Sequence, residues 1–217
     1  NQHSIPITHG GTPYIITADE GGSGGVKIFD VSRVNNPRFA AQLKLEINLP
    51  EHLDTHFRSS MGGSVFGRNP HYCAVDRQTD PTALACAWES SGIRVFDIRD
   101  LDHIREIAYY NPPAQKGATA LTRPNSPHVL GSIIGVPAIE FLSLGMSLAN
   151  GRAKLHEMIG PRAGMVVGGD MATDWCFSPP EFRGNKIFVT CGDGGFYALE
   201  LSNRVYTPPP DQDSYIG

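Results

Sequence analysis

The sequence predicts an all-β fold, a β-propeller built from blades of four antiparallel strands. Its 217 residues include 24 glycines and 17 prolines while only 18% are charged, a composition typical of turn-rich β proteins. One strand-like segment recurs at 25–32, 92–99 and 195–202. Each copy begins with glycine and alternates apolar with other residues, as half-buried strands do. The sixth residue of each copy is acidic: Asp30, Asp97 and Glu200.

The neighbouring segments complete the predicted blades. A β-rich segment precedes each copy across a short glycine-containing turn, which predicts hairpins whose first strands lie at 12–20, 83–90 and 185–193. Further strand-like runs lie after the first two copies, at 37–46 and 103–110, and before the last two, at 71–76 and 173–178. Four consecutive antiparallel strands form a propeller blade. A β-sandwich is the alternative, although it gives no reason for the same acidic-ended strand to recur.

Long connections separate the copies, which lie farther apart than the ~40 to 45 residues of a regular blade of the WD type. The first connection is a glycine-rich, polar rim loop at 49–70, and the second is an insertion at about 114–171. Apolar residues near helical spacing predict one helix in that insertion, at about 136–158. This helix either packs over a sheet edge or acts as a lid over a site.

Residues 1–217 form one propeller domain in this interpretation, and the domain is part of a larger ring. Closing a propeller takes at least about four blades, whereas the sequence offers three recognisable ones. The first copy has no clear inner strand before Thr12. We therefore expect further blades ahead of Asn1.

The four cysteines form two pairs, Cys73 with Cys86 and Cys176 with Cys191. Each pair has one cysteine on a predicted inner strand and the other on its hairpin neighbour, and opposed residues on antiparallel strands place their Cβ atoms ~4.5 to 5.5 Å apart. Two local disulfides are therefore feasible, which predicts an oxidising compartment: secreted, periplasmic or cell-surface. Buried free thiols are an alternative. A zinc site is disfavoured because neither pair has the short spacing of structural zinc ligands.

Charge and hydropathy argue against two classes of partner. The formal net charge is −4 and the isoelectric point is near 6.0, so the chain offers no basic stripe for a phosphate backbone. We expect no nucleic-acid partner. No stretch reaches the ~18 to 20 uninterrupted apolar residues that a membrane span needs, and we expect no such span.

Four segments closely resemble bacterial proteins of the LVIVD-repeat family: 17–32, 71–77, 85–113 and 173–200. They include both cysteine pairs and the three acidic-ended strands. The resemblance implies a propeller domain exported from the cytoplasm, with further blades in an N-terminal half. It implies no reaction, because these secreted propellers have no settled activity. Residues 118–172 lie outside the resemblance, so a function peculiar to this protein is expected there.

Three histidines are candidate metal ligands: His52 and His56 in the rim loop, and His71 at the start of an inner strand. Imidazoles bind copper and zinc, and an i, i+4 histidine pair binds metal well on a helix, although this pair lies in a loop. Distantly similar propellers, the selenium-binding and methanethiol oxidase proteins, hold copper with histidines near the ring axis, where we expect His71. The alternative is that the loop histidines are solvated and that His71 makes hydrogen bonds.

Acidic residues cluster near the predicted strand ends and turns, and such hard oxygen ligands suit calcium. The clustered residues are Asp19, Glu20, Asp76, Glu89, Asp97, Asp100 and Asp102. No EF-hand pattern accompanies them. The alternative for the repeated Asp30 and Asp97 is structural, because a strand-end aspartate accepts hydrogen bonds from turn amides and from arginines.

No catalytic set stands out, because the sequence lacks a G-x-S-x-G elbow and the cysteines are assigned to disulfides. We therefore expect a secreted or envelope-associated interaction module, a scaffold that binds a partner protein or another part of its own assembly through rim loops. The alternative is a metal-dependent oxidoreductase, with copper or a similar metal at the propeller axis near His71.

Overall fold

The computed structural model is an all-β structure with three antiparallel sheets. It describes residues 2–20, 25–52, 68–113, 176–192, 194–202 and 204–216, together with positions 55, 149 and 174. The predicted helix at about 136–158, nearly all of the insertion and most of the rim loop lie outside the described residues. In the described part of the chain, no helix has both the length and the apolar character needed to cross a membrane.

The first two sheets each contain four strands in chain order, so every strand pairs with its neighbours in sequence. The strands of the first sheet are β1 (His3–His9), β2 (Thr12–Ala18), β3 (Val26–Asp30) and β4 (Arg38–Leu43). The strands of the second sheet are β5 (Cys73–Val75), β6 (Ala83–Ala87), β7 (Ile93–Asp97) and β8 (Arg105–Tyr110). Two 3₁₀ turns follow β4, at Glu46–Asn48 and Pro50–His52.

The third sheet has three described strands, β9 (Glu181–Arg183), β10 (Lys186–Cys191) and β11 (Gly195–Glu200), with β10 in the middle. The inner strand predicted at 173–178 is only partly right. Among its described residues, only Cys176 pairs, through an isolated bridge to Cys191, and β9 occupies the remainder of that edge. Two prolines between Cys176 and β9 have no N–H to donate, which explains the interruption.

Strand β1 corrects the expectation that no inner strand precedes Thr12. It pairs with β2 along its whole length, from His3 opposite Ala18 to His9 opposite Thr12. Pro6 weakens the strand pattern in the sequence, but β1 is an edge strand, where a missing N–H costs no ladder hydrogen bond. The first sheet therefore has four strands within residues 3–43.

The second sheet is buried on both faces. One face packs against the first sheet, with Leu84 and Ile28 in a shared core. The opposite face packs against the third sheet, with Val95 and Ile187 in a second core. The first strands of the sheets are adjacent, since β5 contacts both β1 and β9. The three sheets therefore stack in chain order with their first strands side by side.

Trp88 fixes both ends of the rim loop. Its side chain is fully buried, so its indole N–H needs an acceptor. It donates to the side-chain oxygen of Asn48 at 3.1 Å and to the carbonyl oxygen of Arg68 at 2.9 Å. The amide of Asn48 also donates to that carbonyl, at 2.7 Å. The loop therefore begins and ends above the same indole.

Residues 204–216, the C-terminal tail, extend the second sheet beyond β5. Tyr215 and Val75 exchange two backbone hydrogen bonds of 3.0 Å. The hydroxyl of Tyr206 donates to the fully buried carboxylate of Asp76 at 3.0 Å. Burial beside this carboxylate raises the pKa of Tyr206 well above its usual value. The tail is therefore held by both backbone pairing and a buried polar contact.

Replacing Tyr206 by Phe is expected to lower the free energy of unfolding by about 1 to 3 kcal/mol, because a buried carboxylate loses one of its donors. Urea-induced unfolding measures this change. Tyr215→Phe is the matched control, because the backbone of Tyr215 ties it to the second sheet. Equal losses in the two variants would contradict the role given to the Tyr206 hydroxyl.

Both predicted cysteine pairs are disulfides. Cys73 lies directly opposite Cys86, with a Cα distance of 4.0 Å, and Cys176 lies opposite Cys191 at 4.2 Å. The two disulfides differ in their distance from the hairpin turn. Cys86 pairs with Arg94 within the β6–β7 ladder, whereas Cys191 pairs with Gly195 at the end of the β10–β11 ladder, beside the turn. The first disulfide joins β5 to β6, and the second joins Cys176, an isolated bridge residue ahead of β9, to the end of β10.

Reduction of the two disulfides is expected to lower stability, because each bridge closes a loop of 13 or 15 residues. Loop entropy assigns about 3 kcal/mol to a closed loop of this length. Intact mass after reduction and alkylation should report two opened bridges, and urea unfolding should then show an earlier midpoint. An unchanged midpoint in fully alkylated protein would contradict this expectation.

Candidate functional site

The corner where β7 ends and β8 begins carries a fixed pair of arginines. Asp97 ends β7 directly opposite Arg105, the first residue of β8. Arg99 donates to both carboxylate oxygens of Asp97, at 2.9 and 2.6 Å, and Arg105 donates to one of them at 3.2 Å. Hydrogen bonds from Arg99, supported by those from Arg105, hold the pKa of Asp97 far below its usual range.

The other repeated acidic residues occupy equivalent corners. Asp30 ends β3 opposite Arg38, the first residue of β4, and the guanidinium donates to it at 2.9 Å. Hydrogen bonds from Ser32, followed by those from Arg38, lower the pKa of Asp30. Glu200 ends β11 and accepts from the amide of Asn185 at 3.0 Å. The contacts of Asp30 and Asp97 are those of the structural alternative, binding to turn amides and arginines.

A groove runs along β8 between the second and third sheets, and we call it the β8 groove. Its basic end, of about 520 Å³, is lined by Asp97, Arg99, Arg105, Arg204 and Tyr206. The side chains of Arg99 and Arg105 are 62% and 68% exposed although Asp97 holds both. Each guanidinium has five N–H donors, so donors remain for a bound group. Their attachment to Asp97 fixes them before any partner arrives.

The second part of the β8 groove is mainly apolar, although Glu106 and Glu200 also line it. It has a volume of about 470 Å³ and is lined by Ile93, Val95 and Ile107 of the second sheet and by Ile187 and Leu199 of the third. Glu106 and Ile107 line both parts, so the two parts are continuous. The groove can therefore hold an extended chain that is charged at one end and apolar along its length.

Sequence reasoning finds only part of this groove. It identifies Asp97 as a repeated strand-end residue that can bind arginines, but it does not single out Arg99 and Arg105 and it does not find Arg204. Arg204 lies in the C-terminal tail at a positive φ of 57°, and no sequence repeat places it beside β8. Residues 204–206 are brought there because Tyr206 is anchored on Asp76.

His71 lies with His3 at the beginnings of two first strands. One ring nitrogen of His71 is 3.4 Å from the carbonyl oxygen of Phe177, and the other is 3.4 Å from the amide nitrogen of Gln2. The Glu20 carboxylate is 4.0 Å away. His3 accepts the backbone N–H of Cys73 at 3.3 Å. Sequence reasoning missed His3, although it opens an alternating segment much as His71 does.

Among the described residues, the structure does not bring the predicted metal ligands His52 and His71 into one metal site. His52 lies beside Glu46, with 3.5 Å between ring nitrogen and carboxylate, after β4, whereas His71 lies just before β5. His56 is outside the described residues. Where the chain is described, no three histidine, cysteine, aspartate or glutamate side chains are close enough to hold a metal ion such as copper, zinc or calcium. The described contacts of His71 are those of a hydrogen-bonding residue.

Lowering the pH is expected to destabilise the fold through His3. Burial lowers the pKa of His3 below its ordinary value of 6.5, helped by the nearby His71. Between the lowered pKa and about 6.5, the unfolded chain binds more protons at His3 than the folded chain does. The free energy of unfolding therefore falls as the pH drops through this window. Urea unfolding at several pH values should show a flatter dependence for His3→Gln.

His103→Gln is the control with the opposite sign. The Asp100 carboxylate, 2.9 Å away, raises the pKa of His103, so this ring stabilises the fold below about 6.5 and loses that effect as the pH rises. Its removal should steepen the loss of stability at low pH. A His3→Gln variant with the same pH dependence as the unmodified protein would refute the assignment to His3.

Comparison with known proteins adds little to this site. No family model matches the chain. The chain is similar to the cilia- and flagella-associated protein 65 of Chlamydomonas reinhardtii, with 40% identity over 57 residues. This match covers 25% of the chain and 3% of that protein, so the chain spans a small part of its relative. The resemblance to the LVIVD-repeat family stays a prediction.

Proposed function

We propose that this chain is a secreted or envelope-associated β-propeller module that binds an extended segment of a partner protein in the β8 groove. The stacked sheets with adjacent first strands support the propeller. The shared turn conformation at Gly25, Gly92 and Gly195, all with positive φ, supports a true structural repeat.

The two disulfides support the proposed location. Bridges form and persist in oxidising compartments and are rare in the cytosol. Cys73 and Cys86 are nearly inaccessible between the first two sheets, and Cys176 is fully buried as well. Such buried bridges belong to the stable core and do not resemble a labile redox pair.

The exposed arginine pair beside an apolar wall is the observation that carries the binding proposal. The basic end contains three arginines and two carboxylates, and one of these, Glu106, is bound to Arg94 at 3.0 Å. The basic end therefore has net positive charge. Arginines held in a fixed geometry bind carboxylates through paired hydrogen bonds. We infer a partner segment with an acidic residue at this end and apolar residues along β8.

Charge reversal at the basic end tests this function. A photo-crosslinking residue at Thr207, which lines the basic end, is expected to capture one partner from the compartment where the protein resides. Arg204→Glu should weaken that capture at least tenfold, because it reverses a charge without removing a ligand of Asp97. Measurement at two salt concentrations should show a weaker yield at the higher one.

Two controls make the test specific. Arg33→Glu carries the same charge change on an exposed turn of the first sheet and should leave the capture unchanged. A crosslinker at Val34, which is 85% exposed, should not capture the same partner. Equal capture from both crosslinking positions, or equal loss in both charge variants, would refute binding in the β8 groove.

A further inference from the structure

The third sheet ends where the other two continue. In the first sheet β4 pairs with β3, and in the second β8 pairs with β7, but no described strand pairs with the equivalent outer edge of β11. The backbone N–H of Leu201 donates to the carbonyl oxygen of Asn185 at 2.9 Å. Counting back from Leu201, every second residue of β11 therefore directs its backbone N–H and C=O toward β10. The intervening residues, Phe196, Ala198 and Glu200, therefore direct their backbone groups toward the open edge.

The repeated glycine marks the same edge. A Cβ atom at Gly25 would lie 2.3 Å from the carbonyl oxygen of Leu43, and one at Gly92 would lie 2.2 Å from that of Tyr110. Leu43 and Tyr110 are the last residues of β4 and β8. Gly195 has the same kind of positive φ, 75°, yet a Cβ there would meet nothing within 4 Å. The backbone of the third sheet thus has the turn that accommodates an outer strand.

The repeated acidic residue at the end of β3, β7 and β11 indicates which charge an outer strand of the third sheet would carry. Asp30 and Asp97 each bind the arginine that begins the outer strand, at 2.9 and 3.2 Å. Glu200 stands at the equivalent position, and within the described residues its carboxylate accepts only from the amide of Asn185. An outer strand added to β11 would place its first residue opposite Glu200, where a basic side chain fits.

Apolar surface lies on both sides of this edge. The apolar part of the β8 groove, with Ile107 on one wall and Leu199 on the other, borders β11 on the side of the second sheet. On the opposite side Phe196 is 65% exposed and stacks on Phe188 at 5.8 Å between ring centroids. A strand along the edge would cover both surfaces with its alternate side chains.

The structure assigns an occupant to this edge: an extended partner segment that pairs antiparallel with β11 as the fourth strand of the third sheet. This inference rests on the proposed function and names how the partner is held. The paired stretch of the segment carries a basic residue opposite Glu200 and an apolar residue opposite Phe196, and the acidic residue inferred for the basic end of the groove lies outside that stretch. Main-chain hydrogen bonds supply the affinity of such strand addition, and the alternate side chains supply its specificity.

The outer strands of the chain itself define the sequence of the segment. β4 reads RFAAQL and β8 reads REIAYY, and both contain a register shift after the first residues, opposite Ile28/Phe29 and Val95/Phe96. Both then place an alanine opposite the centre of the strand with which they pair, β3 or β7, and an apolar residue at the end. We expect the partner segment to share this six-residue pattern: arginine or lysine, two variable residues, a small residue, one further variable residue and a terminal apolar residue.

A synthetic peptide of residues 36–46, which contains β4, is the probe for this edge. Fluorescence anisotropy with the full chain should show saturable binding that Glu200→Lys weakens at least tenfold. A second peptide with glutamate in place of Arg38 should bind the Glu200→Lys protein better than it binds the unmodified protein, because the two charges are exchanged. Unchanged binding in both combinations would overturn the assignment of Glu200.

Gly195→Asn tests the backbone of the edge. Asparagine tolerates a positive φ better than other side chains, but its Cβ atom would occupy the place that a strand carbonyl takes beside Gly25 and Gly92. Binding of the peptide should be lost. Gly184→Asn is the matched control, because Gly184 has a φ of 60° and equally open surroundings at the β9 to β10 turn. Both variants should keep the circular dichroism spectrum of the unmodified protein.

The outcomes separate this inference from the proposed function. Peptide binding that survives Gly195→Asn but is lost in Arg204→Glu would overturn strand addition and leave the β8 groove as the site. Loss in Gly195→Asn, together with no partner captured at Thr207, would overturn the proposed function and leave the edge as a strand acceptor. A dimer in sedimentation that Gly195→Asn dissociates would overturn the choice of occupant, since a second copy would then hold the edge.

Discussion

The burial of the second sheet on both faces determines where the other elements lie. Every residue of β6 is buried, and the side chains of the sheet differ between its two faces. The face toward the third sheet carries the small residues Ala83, Ala85 and Ala87, which allow a close approach, while the face toward the first sheet carries larger ones such as Leu84 and Phe96. Packing of this density fixes both neighbours with little freedom.

The β8 groove follows from the same constraint. The second sheet extends to a fourth strand, whereas the described part of the third sheet stops at three. A fourth strand in the third sheet would cover one face of β8. Because no described strand lies there, that face of β8 lines the groove. Residues at 204–207 close one end of it because the tail is anchored on Asp76. The groove thus arises from a mismatch in the number of described strands between two neighbouring sheets.

Two aspartates of the second sheet show why burial and exposure lead to different roles. Asp76 is fully buried and is satisfied by the backbone of Thr82 at 2.9 Å and by the Tyr206 hydroxyl, both neutral donors. A buried carboxylate held in this way stabilises the fold and reaches no solvent. Asp97 binds two arginines that stay exposed, so its contacts present charge outward.

Local features of the fold are predictable from sequence, because strand alternation, glycine turns and strand-end aspartates are all short-range patterns. These patterns predict β2, β3 and β4 and both cysteine pairs. They fail at β1, where the effect of Pro6 depends on whether the strand lies at a sheet edge. They also fail at the groove, because Arg105 and Arg204 meet through tertiary packing. The electrostatic effect of His71 on His3 likewise depends on how two sheets stack.

The position of the first disulfide sets an order of events during maturation. Cys73 and Cys86 belong to the core shared by the first and second sheets and are at most 1% exposed. An oxidant must reach a thiolate to form the bond, and the packed first sheet denies that access. The β5 to β6 crosslink is therefore made on a chain whose first two sheets are still apart, so oxidation precedes consolidation of the core.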